Sequence, residues 1–190
     1  MRLSSPRIAP LSDDQWTEEQ KAILKPMADR GPVLNIFRTL ARNPDGFQAF
    51  MGYAGYVLSG RRNALAPRER EIVILRTGYL CGSGYEWTQH VPIGIRAGLT
   101  AAEVEAIKTG ADAPGWSDAD KALLRASDDL HEGQFIADAS WAALKAHFSE
   151  KQVMDLVFTA GQYTQVSMML NSFGVQLDPG QTLDPDLKGF

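Results

Sequence analysis

What the chain lacks narrows it first. It has a single cysteine, Cys81, in 190 residues, so no internal disulfide, no cysteine-based metal cluster and no dithiol redox pair can form within one chain. It has no excess of cations. With 19 Lys and Arg against 23 Asp and Glu the formal net charge is -4, and no basic stripe exists to neutralise a phosphate backbone, which argues against nucleic acid as a partner. It has no apolar run approaching the about 18 residues of a membrane span, and the opening "MRLSSPRIAPLSDDQW" holds no apolar core of signal-peptide length. A soluble, cytoplasmic protein with no membrane partner is the expectation. Finally, no stretch alternates apolar and polar residues in the way a half-buried strand does. What remains is 44% hydrophobic residues, enough for one well-buried core, so a single domain over residues 1–190 is expected.

What is present is helix. Ser12 with Gln15, Thr100 with Glu103, Ser117 with Asp120, and Ser149 with Gln152 each pair a hydroxyl with a polar side chain three residues on, the arrangement that satisfies the free N–H groups of a helix start. Pro67 suits a first turn because it has no N–H to leave unpaired, and Gly98 suits the position after a helix end. Helices are expected over 13–25, 34–42, 45–59, 67–81, 84–97, 101–109, 118–132, 139–147 and 150–172. The fold class is therefore all-α. The tails "MRLSSPRIAPL" and "QLDPGQTLDPDLKGF" are rich in Pro, Gly and Asp and read as extended segments free to wrap a neighbouring subunit.

The chemistry concentrates in "PREREIVILRTGYLCGSGYEWTQH". Glu86 and His90 lie four apart, so one helix projects both from the same face. The break "CGSG" folds that helix back on the one before, which brings Glu71 toward the pair. Side chains at this spacing also ligate metals, so Glu71, Glu86 and His90 form a conceivable, unspecific metal set.

The block from about Leu65 to Ile107 resembles the core of the carboxymuconolactone decarboxylase family, which includes the alkylhydroperoxidase D type of antioxidant enzyme. "PREREIVIL", "YEW", His90 and "AGLTAAEVEAI" carry the resemblance. It implies an alkylhydroperoxidase D-like helical bundle with 67–81 and 84–97 as its central hairpin. In the peroxidase branch a glutamate is followed twelve residues later by a cysteine, three later by a second cysteine and four later by a histidine. Here those positions are Glu71, Ser83, Glu86 and His90. Both thiols are replaced, which disfavours a thiol peroxidase.

The resemblance then implies a decarboxylase-like lyase that uses acid–base chemistry, without metal or organic cofactor, on a small carboxylated lactone or related aromatic-degradation intermediate. His90 would be the general base or acid, Glu86 its partner and Glu71 a second proton-handling group. Arg70 and Arg76 would hold a substrate carboxylate. Tyr85 and Trp87 read either as substrate-stacking rings or as core, and Ser83 either as a substrate contact or as a helix N-cap. Two other readings stay open: a metal-assisted lactone hydrolase or isomerase, and a non-catalytic oligomeric binding module. An open polar gap between the two helices would speak against the binding module. The last helix, "EKQVMDLVFTAGQYTQVSMMLNS", spreads Val153, Leu156, Val157, Val166, Met169 and Leu170 around its circumference, more apolar surface than one layer covers. A homo-oligomer is expected, a dimer or a trimer of dimers as in the family.

Overall fold

The computed structural model describes residues 1–189. Among them there are nine α-helices and no strand: α1 (Glu18–Ala28), α2 (Asn35–Leu40), α3 (Pro44–Val57), α4 (Pro67–Leu80), α5 (Gly84–Arg96), α6 (Ala101–Thr109), α7 (Asp118–Gly133), α8 (Asp138–His147) and α9 (Glu150–Phe173). The helix starts follow the capping logic. Thr100, Ser117 and Ser149 each accept a backbone N–H from the third residue on, and Pro67 opens α4 with Glu69 accepting from the Ala66 N–H at 2.8 Å.

The first helix is displaced from its expected place. The Ser12–Gln15 pair closes only one 3-10 turn, after which Trp16 is extended; a second box, Thr17 with Gln20, starts α1 at Glu18. Two capping boxes follow one another here, and both form. Only the later one opens an α-helix, because the helix that follows it buries Leu24, whereas the first turn buries nothing.

Helix α4 is the axis of the molecule. Every residue from Arg70 to Gly78 is buried, with α5, α7 and α9 packed around it and α6 at its flank. A helix enclosed on all sides has no solvent stripe, which is why Arg70, Glu71 and Arg76 sit inside. One apolar cluster joins α4, α6, α7, α8 and the first half of α9 through Ile72, Leu75, Ile107, Leu123, Leu144 and Leu156; a second joins α1–α3 to the later half of α9.

The tails do not stand free. The N–H groups of Arg7 and Ile8 both donate to the Phe173 carbonyl, and the N-terminal amine donates to the Leu187 carbonyl. Asp178 accepts from the Asn35 N–H at 2.8 Å and from the Tyr85 hydroxyl at 2.6 Å, while Asp184 accepts from Trp87 Nε1 at 3.1 Å. The C-terminal tail, read as free to wrap a neighbouring subunit, is anchored by these aspartates to this chain's own α5. On α9, Val153, Leu156, Val166 and Leu170 are consumed by the internal core, and the exposed apolar side chains are Met154, Val157, Phe158 and Met168.

Candidate functional site

The α4–α5 hairpin turns through Gly82, whose φ of +61° suits glycine, and it sets the two helices close together. Gly94 allows the approach: a Cβ there would lie 3.2 Å from Leu75 Cδ1 and 3.7 Å from Glu71 Cβ. Across this seam Glu71 Oε2 lies 2.8 Å from His90 Nδ1. The other ring nitrogen, Nε2, lies 3.1 Å from the Tyr163 hydroxyl of α9, with the two rings edge-on at 4.9 Å. The imidazole is thus gripped at both ends, by a carboxylate from α4 and a phenol from α9. The carboxylate fixes the proton on Nδ1, since an ionised carboxyl group can only accept.

Glu86 is placed differently from expectation. It is not bonded to His90; its Oε2 accepts from the Ser167 hydroxyl at 2.8 Å, and its Oε1 finds no protein partner. Four-residue spacing put it on the face of His90, but the helix crossing directs it past Gly78. A Cβ at Gly78 would overlap Glu86 Oε1 and lie 3.1 Å from Cδ, so that glycine makes the space for the carboxyl group. Burial drives the Glu86 carboxyl well above the ordinary carboxylate range, the Glu71 charge adds to the rise, and the Ser167 hydrogen bond opposes it. Burial thus favours the protonated form of Glu86. Burial likewise raises the Tyr163 hydroxyl well above its usual value, with Glu71 and Glu86 adding and Arg70 opposing, so the phenol is a donor and not a phenolate.

These groups edge a cavity of about 280 Å³ between α2, α3, α5 and α9. Its wall is mostly apolar, with Phe37, Phe50, Met51, Ile93 and Val166, while Glu86, Gln89, His90, Gln162 and Tyr163 are polar points on it. The cavity lies on the side of α5 away from α4, and no α4 residue lines it; between α4 and α5, where an open polar gap was the expectation, the helices are closely packed.

The remaining expected site residues divide. Tyr85 lines the cavity, its hydroxyl donating to Asp178, and burial together with that bond raises it above its usual value. Ser83 is the N-cap residue of α5, wholly buried, with no partner for its hydroxyl, and it does not line the cavity. Trp87 is core: it stacks against Tyr79 and bonds Asp184 on the far side of α5. Arg76 holds no substrate carboxylate either. Its guanidinium binds Asp128 at 2.6 Å and the Ile107 and Lys108 carbonyls at 2.8 Å each, and it is spent there. Arg70 is buried behind the wall with Nε and Nη1 unpartnered; it does not line the cavity itself, and its charge acts on the lining through Tyr163. Among the described residues no three His, Cys, Asp or Glu side chains are placed to hold a metal ion. Cys81 lies outside the cavity, its Sγ 3.7 Å from His131 Nδ1, with burial raising the thiol.

Tyr163 and Ser167 were not foreseen, yet a signal exists. Asp155, Thr159, Tyr163, Ser167 and Asn171 follow one another at intervals of four along α9, a polar stripe through an otherwise apolar helix. Asp155, Thr159, Tyr163 and Ser167 are buried, and each of the five makes a hydrogen bond at its place.

Residues 44–129 match the model of the carboxymuconolactone decarboxylase family. The matched segment holds Glu71, Glu86 and His90 and ends before Tyr163 and Ser167. No curated protein matches the chain in sequence. Among solved structures, the chain resembles an alkylhydroperoxidase D core, peroxidase-related protein from Ralstonia eutropha at 22% identity and TM-score 0.72, over 89% of this chain and 87% of that one. It resembles an Agrobacterium tumefaciens protein described as a putative antioxidant defence protein at 22% identity and TM-score 0.67, over 72% and 93%. A debrominase solved with 2,3,4-tribromopyrrole bound aligns at 13% identity and TM-score 0.72, over 93% and 94%. At these identities the likeness is one of fold, and the fold is the alkylhydroperoxidase D-like helical bundle.

Proposed function

For a chain whose central segment is of the carboxymuconolactone decarboxylase family, we propose an acid–base enzyme that protonates a carbanion or dienolate formed by loss of carbon dioxide from a small lactone-type ring acid. The observation that carries this reading is His90 held between Glu71 and Tyr163 at the wall of an apolar cavity, with the buried acid Glu86 beside it.

The neutral imidazole carries its proton on Nδ1, toward Glu71, and accepts the Tyr163 hydroxyl at Nε2. With His90 protonated by solvent water before the substrate enters, Nε2–H donates to the Tyr163 oxygen instead and the Tyr163 O–H points at a substrate oxygen; the imidazolium keeps this proton through the turnover. Glu71 balances the imidazolium charge. A developing enolate oxygen would then meet a preset donor, an interaction whose removal typically costs about 10²–10³-fold. Glu86 supplies the proton to carbon: its O–H bond breaks, a C–H bond forms, and Glu86 is left ionised.

The wall also limits the substrate. It carries no arginine or lysine, so only the carboxylate that leaves can be tolerated there; in an apolar setting that charge is poorly solvated, and its departure as carbon dioxide relieves the cost. A second carboxylate would stay buried and unpaired. The volume is at the small end for ligand cavities, about 300–1,000 Å³, which suits a single ring.

The test is a panel of lactone monoacids and matching diacids, read by carbon dioxide release and by deuterium incorporation at the ring carbon. Monoacids should turn over in preference to diacids, and His90→Ala, Tyr163→Phe and Glu86→Gln should each lower turnover by at least about 10²-fold. Full turnover in His90→Ala would end the acid–base reading.

A further inference from the structure

On the other side of Glu86 lies a second, larger cavity of about 600 Å³, walled by Arg2, Cys81, His131, Thr164, Ser167 and Asn171 among others. It does not share the apolar lining of the first. Ser167 belongs to its wall and at the same time donates to Glu86 Oε2 at 2.8 Å, so the side chains of Ser167 and Glu86 are the partition between the two cavities. Both are buried, at 1% and 2% exposure, and this is the one hydrogen bond that Glu86 makes.

An acid that protonates carbon once per turnover must be recharged. A ring compound that fills the apolar cavity displaces water from that side of Glu86, where Phe37, Phe50, Met51 and Val166 are part of a mostly apolar wall. The Ser167 hydroxyl can both donate and accept, which is the requirement for passing a proton without holding a charge. Its own surroundings on the far side are polar: the Thr164 hydroxyl and the Cys81 thiol lie beside it, and His131 Nδ1 stands 3.7 Å beyond the thiol. No carboxylate lines the second cavity, and Arg2, Arg7, Cys81 and His131 are the charged or titratable groups on its wall.

We propose that the second cavity is the proton port of the site, and that Ser167 relays protons between it and Glu86 while the apolar cavity is occupied. In one passage, Ser167 Oγ–H is transferred to the ionised Glu86 Oε2, Ser167 Oγ takes a proton from water in the port, and that water regains one from bulk solvent; no electrons move. The substrate thus enters from one side and the proton from the other. The inference rests on Glu86 acting as the acid of the proposed function.

It is tested without a substrate. The carboxylic acid stretch of Glu86, identified by its loss in Glu86→Gln, is followed by time-resolved infrared spectroscopy after dilution of the protein into D2O. The hydrogen-to-deuterium shift should be at least about tenfold slower in Ser167→Ala and restored in Ser167→Thr, which keeps the hydroxyl. Fluorobenzene, with occupancy of the apolar cavity read by 19F NMR, should leave the wild-type exchange rate unchanged and arrest exchange in Ser167→Ala. Exchange in Ser167→Ala at the wild-type rate would overturn the relay, as would wild-type exchange blocked by fluorobenzene, which would place the route through the substrate side. Absence of any acid band assignable to Glu86 would overturn it as well. These readouts are separate from turnover in His90→Ala, so failure of the relay and failure of the proposed chemistry are told apart.

Discussion

Glu86→Gln should make the protein more stable as the pH rises, and the size of the effect follows from linkage. In the unfolded chain the Glu86 carboxyl ionises near about 4.3. In the folded chain burial lifts it well above that value, with the Glu71 charge adding to the rise. Above the unfolded pKa the folded state therefore binds one more proton than the unfolded state, and stability falls as pH rises until the folded pKa is passed. The slope is about 1.4 kcal/mol per pH unit for one proton. Over the pH range between the two pKa values this single group steadily removes stability from the wild type, against a typical total of about 5–15 kcal/mol. Glutamine has nearly the same shape, can still bond Ser167 and never ionises, so the variant loses this slope. Contributions from every other titrating group are common to both proteins and cancel in the difference. Urea midpoints measured at pH 5, 6 and 7, at fixed protein concentration and ionic strength, should show the two stabilities diverging, with Glu86→Gln ahead at pH 7. Parallel curves would mean that Glu86 is ionised in the folded protein, and both the acid role and the proton relay would fall with it.

Gly78→Ala should destabilise by about 1–3 kcal/mol, the cost of overpacking, because its methyl group takes the space of Glu86 Oε1; Glu86→Ala in the same chain should recover most of the loss, and additive effects in that double-mutant cycle would refute the contact. Arg76→Met should cost about 3–5 kcal/mol by leaving Asp128 and two carbonyls unpaired, with KM unchanged; a raised KM at unaltered stability would return Arg76 to substrate binding. The exposed patch of Trp141, Met154, Val157 and Phe158 should be covered by a second copy of the chain, and light scattering that gives the monomer mass of 20.8 kDa at micromolar concentration would refute this.

The limits of the sequence reading have physical causes that individual residues display. Helix starts are legible because a cap is a contact within four residues, and Thr100, Ser117 and Ser149 needed no tertiary information. Ser12 misled because Thr17 offers a second cap five residues on, and burial of Leu24 favours the helix that follows it. At the site, spacing assigns side chains to a face but not to a partner. Glu86 and His90 do share a face of α5, yet they meet different partners, because α4 and α9 each touch α5 at two levels, with Glu71 and Tyr163 at His90 and Gly78 and Ser167 at Glu86. Arg70 and Arg76 could have been separated beforehand: six residues turn a helix by about 600°, or 240° net, so the two guanidinium groups cannot grasp one carboxylate. Tyr163 and Ser167 were hidden by their setting. A tyrosine or serine on a long helix ordinarily faces water, and only the four-residue rhythm from Asp155 to Asn171 distinguishes a buried polar seam from a solvated face. That seam is also what the replaced thiol position requires. With a carboxyl group at Glu86 the site must bury a polar head, and a hydroxyl from α9 together with the missing side chain at Gly78 are what make that burial tolerable. The acid, its donor and the space it occupies thus form one unit contributed by three helices, so a change at any one of them should register at the other two.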